Sequence, residues 1–321
     1  MYATGNKKML NILILNILRK YSDEDHALNQ QEIIRLLKLN YGMECDRRSV
    51  KNNIMSLIEM GYDISMVKGY RLLSREFDDA ELRLLIDSVL FSKSISTKQA
   101  KGLITKIRAL ASNFFNAKVN HISNLPDLQR TINKQTLYSL DTINDAISAK
   151  KKISFIYNSV GTDFQLHPRR KDPYIVNPYQ IVANNGFFYL IGNYDKYDNI
   201  AHFRIDRMTD VLMLSKKEKP MKDIPELKNG LNLPKHMAEH IYMFSGQSTP
   251  VTLRTTPEMM NELTDWFGND IRIIKKDECE LIVIVNCIEA AMRFWALQYG
   301  LYVEVIKTIS LRNSWLYMIA P

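Results

Sequence analysis

The chain has 321 residues, 46% of them hydrophobic, and a formal charge of +8, which favours an acidic partner such as nucleic acid. A chain of this length exceeds what one hydrophobic core usually organises, so two or three domains are expected. No apolar run reaches the roughly 18 to 20 residues that span a bilayer, and the first residues lack the pattern of a secretory signal, so a cytoplasmic protein without membrane contact is predicted.

The first predicted elements are three short amphipathic helices. Residues 7 to 20 place apolar side chains at helical spacing. Asn29 is predicted to cap the second helix, with Glu32 as its capping-box partner. Asp46 is predicted to cap the third helix, whose outward edge is rich in basic and amide side chains.

The third helix is followed by residues 62 to 73, in which Gly69 predicts a turn between two strands. This order is typical of a winged helix-turn-helix, which binds DNA. Arginine and asparagine contact bases through paired hydrogen bonds, while serine and lysine hold phosphates. The predicted DNA contacts are Arg47, Arg48, Ser49, Lys51 and Asn52 of the helix and Lys68 and Arg71 of the wing. Because winged helices also dock proteins, a protein-binding role is the alternative.

Two more amphipathic helices are predicted after the wing, one beginning near Phe77 and one after Ser96. Residues 113 to 135 are largely polar, which predicts a connecting segment. A helix over residues 137 to 149 is then predicted, followed by strands as far as about residue 215.

Residues 186 to 207 combine aromatic, apolar and basic side chains in two strand-like runs around a turn. The second run alternates His202, Arg204 and Asp206 against Phe203, Ile205 and Arg207. Arginine can hold a phosphate or carboxylate through paired hydrogen bonds, and a nearby tyrosine can stack or donate its hydroxyl. The alternative is a structural salt bridge of Asp206 with Arg204 or Arg207.

A wider pattern runs over residues 137 to 210. It consists of a helix, a strand ending Phe155-Ile156-Tyr157, then Pro178-Tyr179, Phe188-Tyr189-Leu190 and Phe203-Arg204-Ile205-Asp206-Arg207. This pattern resembles the WYL-domain family, although Phe188 stands where the name-giving triplet has tryptophan. The resemblance implies a small Sm-like or SH3-like β-barrel that binds nucleic acid or a nucleotide-like anion, commonly in bacterial transcription factors. It implies ligand contacts from Tyr189, His202, Arg204 and Arg207, with Ser154 and Arg169 as weaker candidates.

Beyond residue 248 the predicted order is strand, helix, strand, strand, helix, strand, which is ferredoxin-like. The stretch from Arg293 to Gly300, with Trp295, is similar to the carboxy-terminal WCX extension of WYL regulators, which packs against a second subunit in those relatives. A homodimer is also expected because one winged helix contacts few bases and paired half-sites raise affinity.

One motif favours an enzyme. Residues 236 to 240, His-Met-Ala-Glu-His, fit the H-x-x-E-H spelling of an inverted zinc-peptidase helix. Zinc needs a third protein ligand, and no acidic motif downstream supplies one, so a polar linker face is the favoured interpretation. The chain has no G-x-S-x-G elbow, no phosphate-binding loop and no C-x-x-C pair. It is therefore predicted to be non-enzymatic, with no catalytic residue, metal or cofactor.

The predicted fold class is α+β, with several domains. These are a winged helix-turn-helix at 1–76, a helical linker at 77–135, a WYL-like barrel at 136–220, a connector at 221–247 and a WCX-like dimerisation domain at 248–321. The predicted function is a homodimeric transcriptional regulator whose barrel senses a nucleic acid or nucleotide-like anion and shifts affinity for a palindromic duplex operator. The alternative is an accessory protein that binds single-stranded nucleic acid and modulates a separate enzyme.

Overall fold

The computed structural model describes residues 7–118 and 130–307. The chain divides into two compact units, residues 1–130 and residues 131–321. Helices and antiparallel sheets make up both units, which confirms the predicted mixed α and β class. Across the described ranges, no helix is both long enough and apolar enough to cross a bilayer.

The first unit begins with three helices and a short antiparallel hairpin. Its described elements are α1 Leu10–Tyr21, α2 Gln30–Tyr41, α3 Arg47–Glu59, β1 Ile64–Ser65, β2 Arg71–Leu72, α4 Asp79–Phe91, α5 Thr97–Arg108 and α6 Asn113–Lys118. The apolar faces of α1, α2 and α3 share one core, in which Ile14, Ile33 and Ile54 are fully buried. This packing fixes which face of α3 points outward.

Side-chain caps set where α2 and α3 begin. The Asn29 side chain accepts a hydrogen bond from the Glu32 backbone N–H at 3.0 Å, and the Glu32 carboxylate accepts one from the Asn29 N–H at 2.7 Å. The Asp46 carboxylate accepts a hydrogen bond from the Ser49 N–H at 2.7 Å. Both predicted caps are therefore confirmed, and each typically stabilises a helix by about 0.5–2 kcal/mol.

Residues 113–118 form helix α6, so the prediction that the connecting segment begins at residue 113 is wrong. The reason is Phe115, which is 3% exposed and packs with Leu82 and Ile86 of α4. Burial of this aromatic side chain stabilises a helical turn whose neighbours are polar. Residues 119–129 of the predicted linker lie outside the described residues.

The second unit contains two antiparallel sheets. Its described elements are α7 Thr136–Ser148, β3 Lys151–Val160, β4 Leu166–Pro168, β5 Tyr174–Asn184, β6 Phe187–Tyr194, β7 Ile200–Arg204, β8 Met208–Lys217, α8 Leu233–Glu239, β9 Ser248–Thr255, α9 Met260–Phe267, β10 Arg272–Lys276, β11 Leu281–Ile288, α10 Glu289–Gln298 and β12 Glu304–Lys307. Three-residue 3-10 turns occur at Ile205–Arg207 and within the connecting stretch 221–243. The first sheet has the order β4-β3-β5-β6-β7, with β8 paired to β3.

The first sheet curls around an aromatic core covered by α7. Phe155, Tyr174 and Phe203 meet in this core, with Phe155 and Phe203 edge-to-face at a centroid distance of 5.4 Å. Gly192 lets β6 approach β5 closely, since a Cβ atom there would lie 2.7 Å from the Asn177 carbonyl oxygen. The curvature brings β8 alongside β3, so β3 is paired on both edges.

Strand pairing sets the two faces of β6 and β7. Leu190 pairs with Phe203, and both face the aromatic core. Tyr189 pairs with Arg204 and Ile191 pairs with His202, on the opposite face. There a second apolar cluster, with residues of the connecting stretch 221–243, covers part of the sheet.

The chain leaves the β conformation after Arg204. Residues 205–207 form a 3-10 turn, so the predicted strand alternation is wrong at Asp206 and Arg207. Tertiary contacts decide this conformation: Ile205 is fully buried, and the Asp206 carbonyl oxygen accepts a hydrogen bond from the Asn133 side chain at 3.0 Å.

The second sheet has the order β10-β11-β9-β12, and its elements follow one another as strand, helix, strand, strand, helix, strand. The core lies between the sheet and helices α9 and α10. Trp295 of α10 is completely buried in it and contacts Phe267 edge-to-face at 4.9 Å between ring centroids. This tryptophan therefore has a packing role.

Candidate ligand site and nucleic-acid interface

The outward face of α3 carries cations that have no partner among the described residues. Arg47, Arg48, Lys51 and Asn52 are all exposed. Throughout the described ranges, no hydrogen bond or ion pair involves the side chains of the two arginines or of Lys51. These groups are available to contact an anionic surface, because no interaction with the described part of the chain has to be broken first.

Two other side chains that were predicted to contact DNA instead form hydrogen bonds that stabilise local structure. The Ser49 hydroxyl donates to the Asp46 carboxylate at 3.1 Å, as part of the cap of α3. The Arg71 guanidinium donates to the carbonyl oxygens of Glu24 at 2.6 Å and Val67 at 3.0 Å, which braces the hairpin. Lys68, in contrast, is exposed at the hairpin turn with a φ of 56°.

Arg204 is held by two side chains of the second unit. Its Nε and Nη2 atoms donate to the two carboxylate oxygens of Asp206 at 3.0 and 2.8 Å. Its guanidinium carbon also lies 3.5 Å from the centroid of the Phe187 ring. The Arg204 side chain is 22% exposed and that of Asp206 is 6% exposed. The structure therefore assigns the salt bridge of Asp206 to Arg204.

Arg207 has a different environment from Arg204. Its Nε atom is buried and has no hydrogen-bond partner among the described residues. The nearby Tyr189 is partly buried, and burial raises the pKa of its hydroxyl, while the charges of Arg204 and Arg207 act in the opposite direction. Tyr189 is consequently a neutral hydrogen-bond donor at pH 7. Tyr189 and Arg207 therefore offer two hydrogen-bond donors close to each other, of which the first is neutral and the second is charged.

The remaining predicted ligand contacts are dispersed. Arg169 is exposed, and its guanidinium lies 4.9 Å from the centroid of the Tyr157 ring. The Tyr157 hydroxyl accepts a hydrogen bond from the Arg204 backbone N–H at 3.1 Å, so Tyr157 lies between Arg169 and Arg204. Ser154 lies on β3 between Ile175 and Leu212, and β3 pairs with neither β6 nor β7.

The aromatic residue that contacts Arg204 is Phe187, which the sequence patterns did not single out. Phe188 packs against the aromatic core. Alternation along β6 places Phe187 on the same face as Tyr189, so this signal was present in the sequence. Because Arg204 faces away from the aromatic core, the residue at position 187 contacts its guanidinium.

His202 shares the face of Arg204, but its ring nitrogens contact other side chains. Nδ1 lies 3.1 Å from the Ser245 hydroxyl, and Nε2 lies 2.8 Å from Nε2 of His236. Burial, with the neighbouring rings of His240 and His236, lowers the pKa of His202 to about 2. Burial and His240 lower the pKa of His236 to about 4. These rings are therefore neutral at pH 7.

The H-x-x-E-H segment is not a polar linker face. His236 is 7% exposed and His240 is 5% exposed, so both are buried. A third histidine, which lies upstream in the sequence, joins them: one nitrogen from each of His202, His236 and His240 lies within 4.8 Å of the others. These three residues are a group that can hold a metal ion.

One region of the chain matches a known protein family. Residues 139–213 match the model of the WYL domain, which confirms the resemblance seen in the aromatic pattern. No curated protein matches the chain.

Two solved structures are similar at a low level. Proteasome accessory factor B/C (PafBC) of Arthrobacter aurescens matches with 13% identity and a TM-score of 0.32, over 98% of this chain and 49% of that chain. The chain thus spans about half the length of the PafBC chain. A CRISPR Cas-related protein matches with 13% identity and a TM-score of 0.40, over 76% of this chain and 73% of that chain. TM-scores this low do not establish a shared fold.

Proposed function

Because the chain carries a WYL domain at residues 139–213, we propose that it is a DNA-binding transcriptional regulator whose second unit senses a nucleic acid or a nucleotide-like anion. In this proposal α1, α2, α3 and the β1–β2 hairpin form a winged helix-turn-helix. Strands β3 to β8 form a small Sm-like or SH3-like barrel, and the last sheet is a ferredoxin-like, WCX-like domain. The protein acts in the cytoplasm and has no catalytic role.

The observation that carries the DNA-binding proposal is the exposed basic face of α3, whose cations pair with no described residue. Arg47 and Arg48 lie in the first turn of the helix, and Lys51 follows one turn later. In helix-turn-helix proteins the amino-terminal residues of this helix contact base edges in the major groove. Asn52 and Lys68 are the further proposed contacts, whereas Ser49 and Arg71 act by positioning the helix and the wing.

The direct test compares duplex and single-stranded DNA from the region upstream of the gene. We expect the full chain to protect a palindromic duplex site from nuclease, with an affinity that falls steeply as salt increases because counterions are released. Equal affinity for any single strand, with no protected duplex site, would support the accessory role instead. In that case stacking on Tyr189 and Phe187 and contacts to the phosphate backbone would account for binding.

The proposed sensor site is centred on Arg207 and Tyr189. Arg204 contributes positive charge, but its hydrogen-bonding edge is already satisfied by Asp206. Arg169 is a peripheral candidate. The His202 ring contacts His236, and Ser154 lies on β3 opposite Leu212. A bound anion would therefore pair chiefly with Arg207, whose Nε atom has no hydrogen-bond partner among the described residues.

Replacing Arg207 with alanine is expected to lower the affinity for a labelled single strand of about ten nucleotides roughly tenfold or more, because a charge-assisted hydrogen bond contributes about 1.5–3 kcal/mol. Fluorescence anisotropy would measure this in a chain that also carries Arg47→Ala and Arg48→Ala, so that α3 does not contribute. Arg272→Ala, at an exposed position of β10, is the matched control. Equal losses in both variants would exclude Arg207 as a specific contact.

A homodimer completes the proposal. One winged helix contacts few bases, and two-fold symmetry matches a palindromic operator. Leu301 and Tyr302 next to α10 are 92% and 60% exposed, which supports an interface in the last domain. Ligand binding would then favour one spacing of the two winged helices through its different affinity for the two states. Sedimentation equilibrium of the full chain would give the subunit number.

A further inference from the structure

Two buried histidines and a third, partly buried one converge next to β7, the proposed sensor strand that carries Arg204. His202 belongs to β7, His236 to α8, and His240 follows the end of α8. The rings of His236 and His240 are stacked at 3.9 Å between centroids, and each lies 5.0 Å from the His202 ring. Among the described residues, no other group of three histidine, cysteine, aspartate or glutamate side chains converges in this way.

Hydrogen bonds orient two of the rings. Nδ1 of His240 lies 2.9 Å from the His236 carbonyl oxygen, which can only accept, so Nδ1 carries the proton and Nε2 of His240 carries the lone pair. Nδ1 of His202 lies 3.1 Å from the Ser245 hydroxyl, which leaves its Nε2 to face His236. Metal-binding histidines usually have their second nitrogen fixed in this manner, by a carbonyl or another polar group.

The distances are close to those of a metal centre. Zinc binds histidine nitrogens at about 2.0–2.1 Å, which separates neighbouring ligand nitrogens by roughly 3.3 Å in a tetrahedron. The two Nε2 atoms of His202 and His236 are 2.8 Å apart, and all three ligand atoms lie within 4.8 Å of one another. Rotation of the three rings toward a common centre would bring the nitrogens to this geometry. Three neutral imidazoles suit zinc, copper, nickel and cobalt.

The site differs from that of a zinc peptidase. In the H-x-x-E-H pattern the glutamate would act as the base beside the metal-bound water. Here the Glu239 carboxylate lies 3.9 Å from the Lys235 ammonium and lines a small cleft with Phe267 and Val285. This cleft contains none of the three histidines, so the glutamate is not positioned for that role.

We propose that His202, His236 and His240 bind a divalent transition metal, of which zinc is the first candidate, in a structural site that ties β7 to the connecting stretch. The fourth position is taken by water or a small anion. The metal would hold His202, and with it the strand that carries Arg204, against residues 233–245. It would thereby make the sensor strand more rigid without taking part in any reaction.

The test is metal analysis of the full chain prepared without a polyhistidine tag and without chelator. We expect about one zinc per chain, or uptake of one equivalent of Zn²⁺ after dialysis against chelator. Co²⁺ in place of Zn²⁺ should give the visible absorption of a tetrahedral site. Saturating Zn²⁺ should raise the midpoint of thermal unfolding by about 5–10 °C at a hundred times its Kd.

His236→Ala should abolish both the stoichiometric metal and the thermal shift. His202→Gln retains a polar side chain of similar size and provides a second variant if the first does not fold. His167→Ala, at an exposed histidine outside the group, is the matched control and should bind metal normally. Absence of stoichiometric Zn²⁺ and Co²⁺ binding by the folded wild-type chain would overturn the proposal, as would binding that persists in both folded cluster variants.

Discussion

Replacing Arg47 and Arg48 together with alanine is expected to lower the affinity for the duplex operator about 100-fold at fixed salt, since each specific arginine contact contributes about 1–3 kcal/mol. Both side chains are exposed, and neither forms an ion pair within the described ranges, so their removal should leave the fold intact. If either arginine contacts phosphate, the slope of log affinity against log salt should decrease by about 1 per contact. Anisotropy titrations at several salt concentrations give both quantities.

The matched control is Lys98→Ala with Lys101→Ala. These two exposed lysines lie on α5 of the same unit, so the control removes the same charge from another surface. It should lower the affinity only slightly, through the long-range field. If the two double variants lost equal affinity, total charge rather than the face of α3 would account for DNA binding, and the recognition-helix assignment would be wrong.

Replacing Asp206 with alanine is expected to lower the free energy of unfolding of the second unit by about 3 kcal/mol, because removing one partner of a buried ion pair leaves the other charge uncompensated. Arg204 would lose both hydrogen bonds while remaining stacked on Phe187. The three tryptophans, Trp266, Trp295 and Trp315, all lie beyond residue 131. Tryptophan fluorescence during urea unfolding therefore reports on this unit.

A double-mutant cycle isolates the ion pair itself. Arg204→Ala with Asp206→Ala should be less destabilising than the sum of the two single changes, by about 0.5–3 kcal/mol. Asp87→Ala removes the partner of Arg83 in an exposed pair on α4, where the loss should be at most about 0.5 kcal/mol, as measured by circular dichroism. An additive cycle would show that Arg204 and Asp206 do not stabilise each other.

The metal proposal and the regulator proposal are separable. His202 lies two positions along β7 from Arg204, so metal removal is expected to change ligand affinity without changing contacts to DNA. Conversely, loss of DNA binding in the α3 variants would leave the zinc content unchanged. Measuring both properties on the same set of variants therefore distinguishes failure of one proposal from failure of the other.

Local sequence signals determined the framework of this protein. The Asn29–Glu32 and Asp46 caps fixed the starts of α2 and α3, because a cap depends only on residues within one turn of the helix. The aromatic motifs of residues 137–210 resemble the WYL-domain family, and the family model matches residues 139–213. Both kinds of signal can be recognised without knowing what packs against them.

Only the tertiary structure decided how the side chains of the candidate site are used. Alternation predicted that Asp206 and Arg207 continue the strand, but the chain forms a 3-10 turn at the buried Ile205. Asp206 then pairs with Arg204, and the Arg207 Nε atom has no hydrogen-bond partner among the described residues. His202 and His236 meet although 34 residues separate them. Such contacts depend on where the connecting stretch folds back over the sheet, and no local periodicity encodes that path.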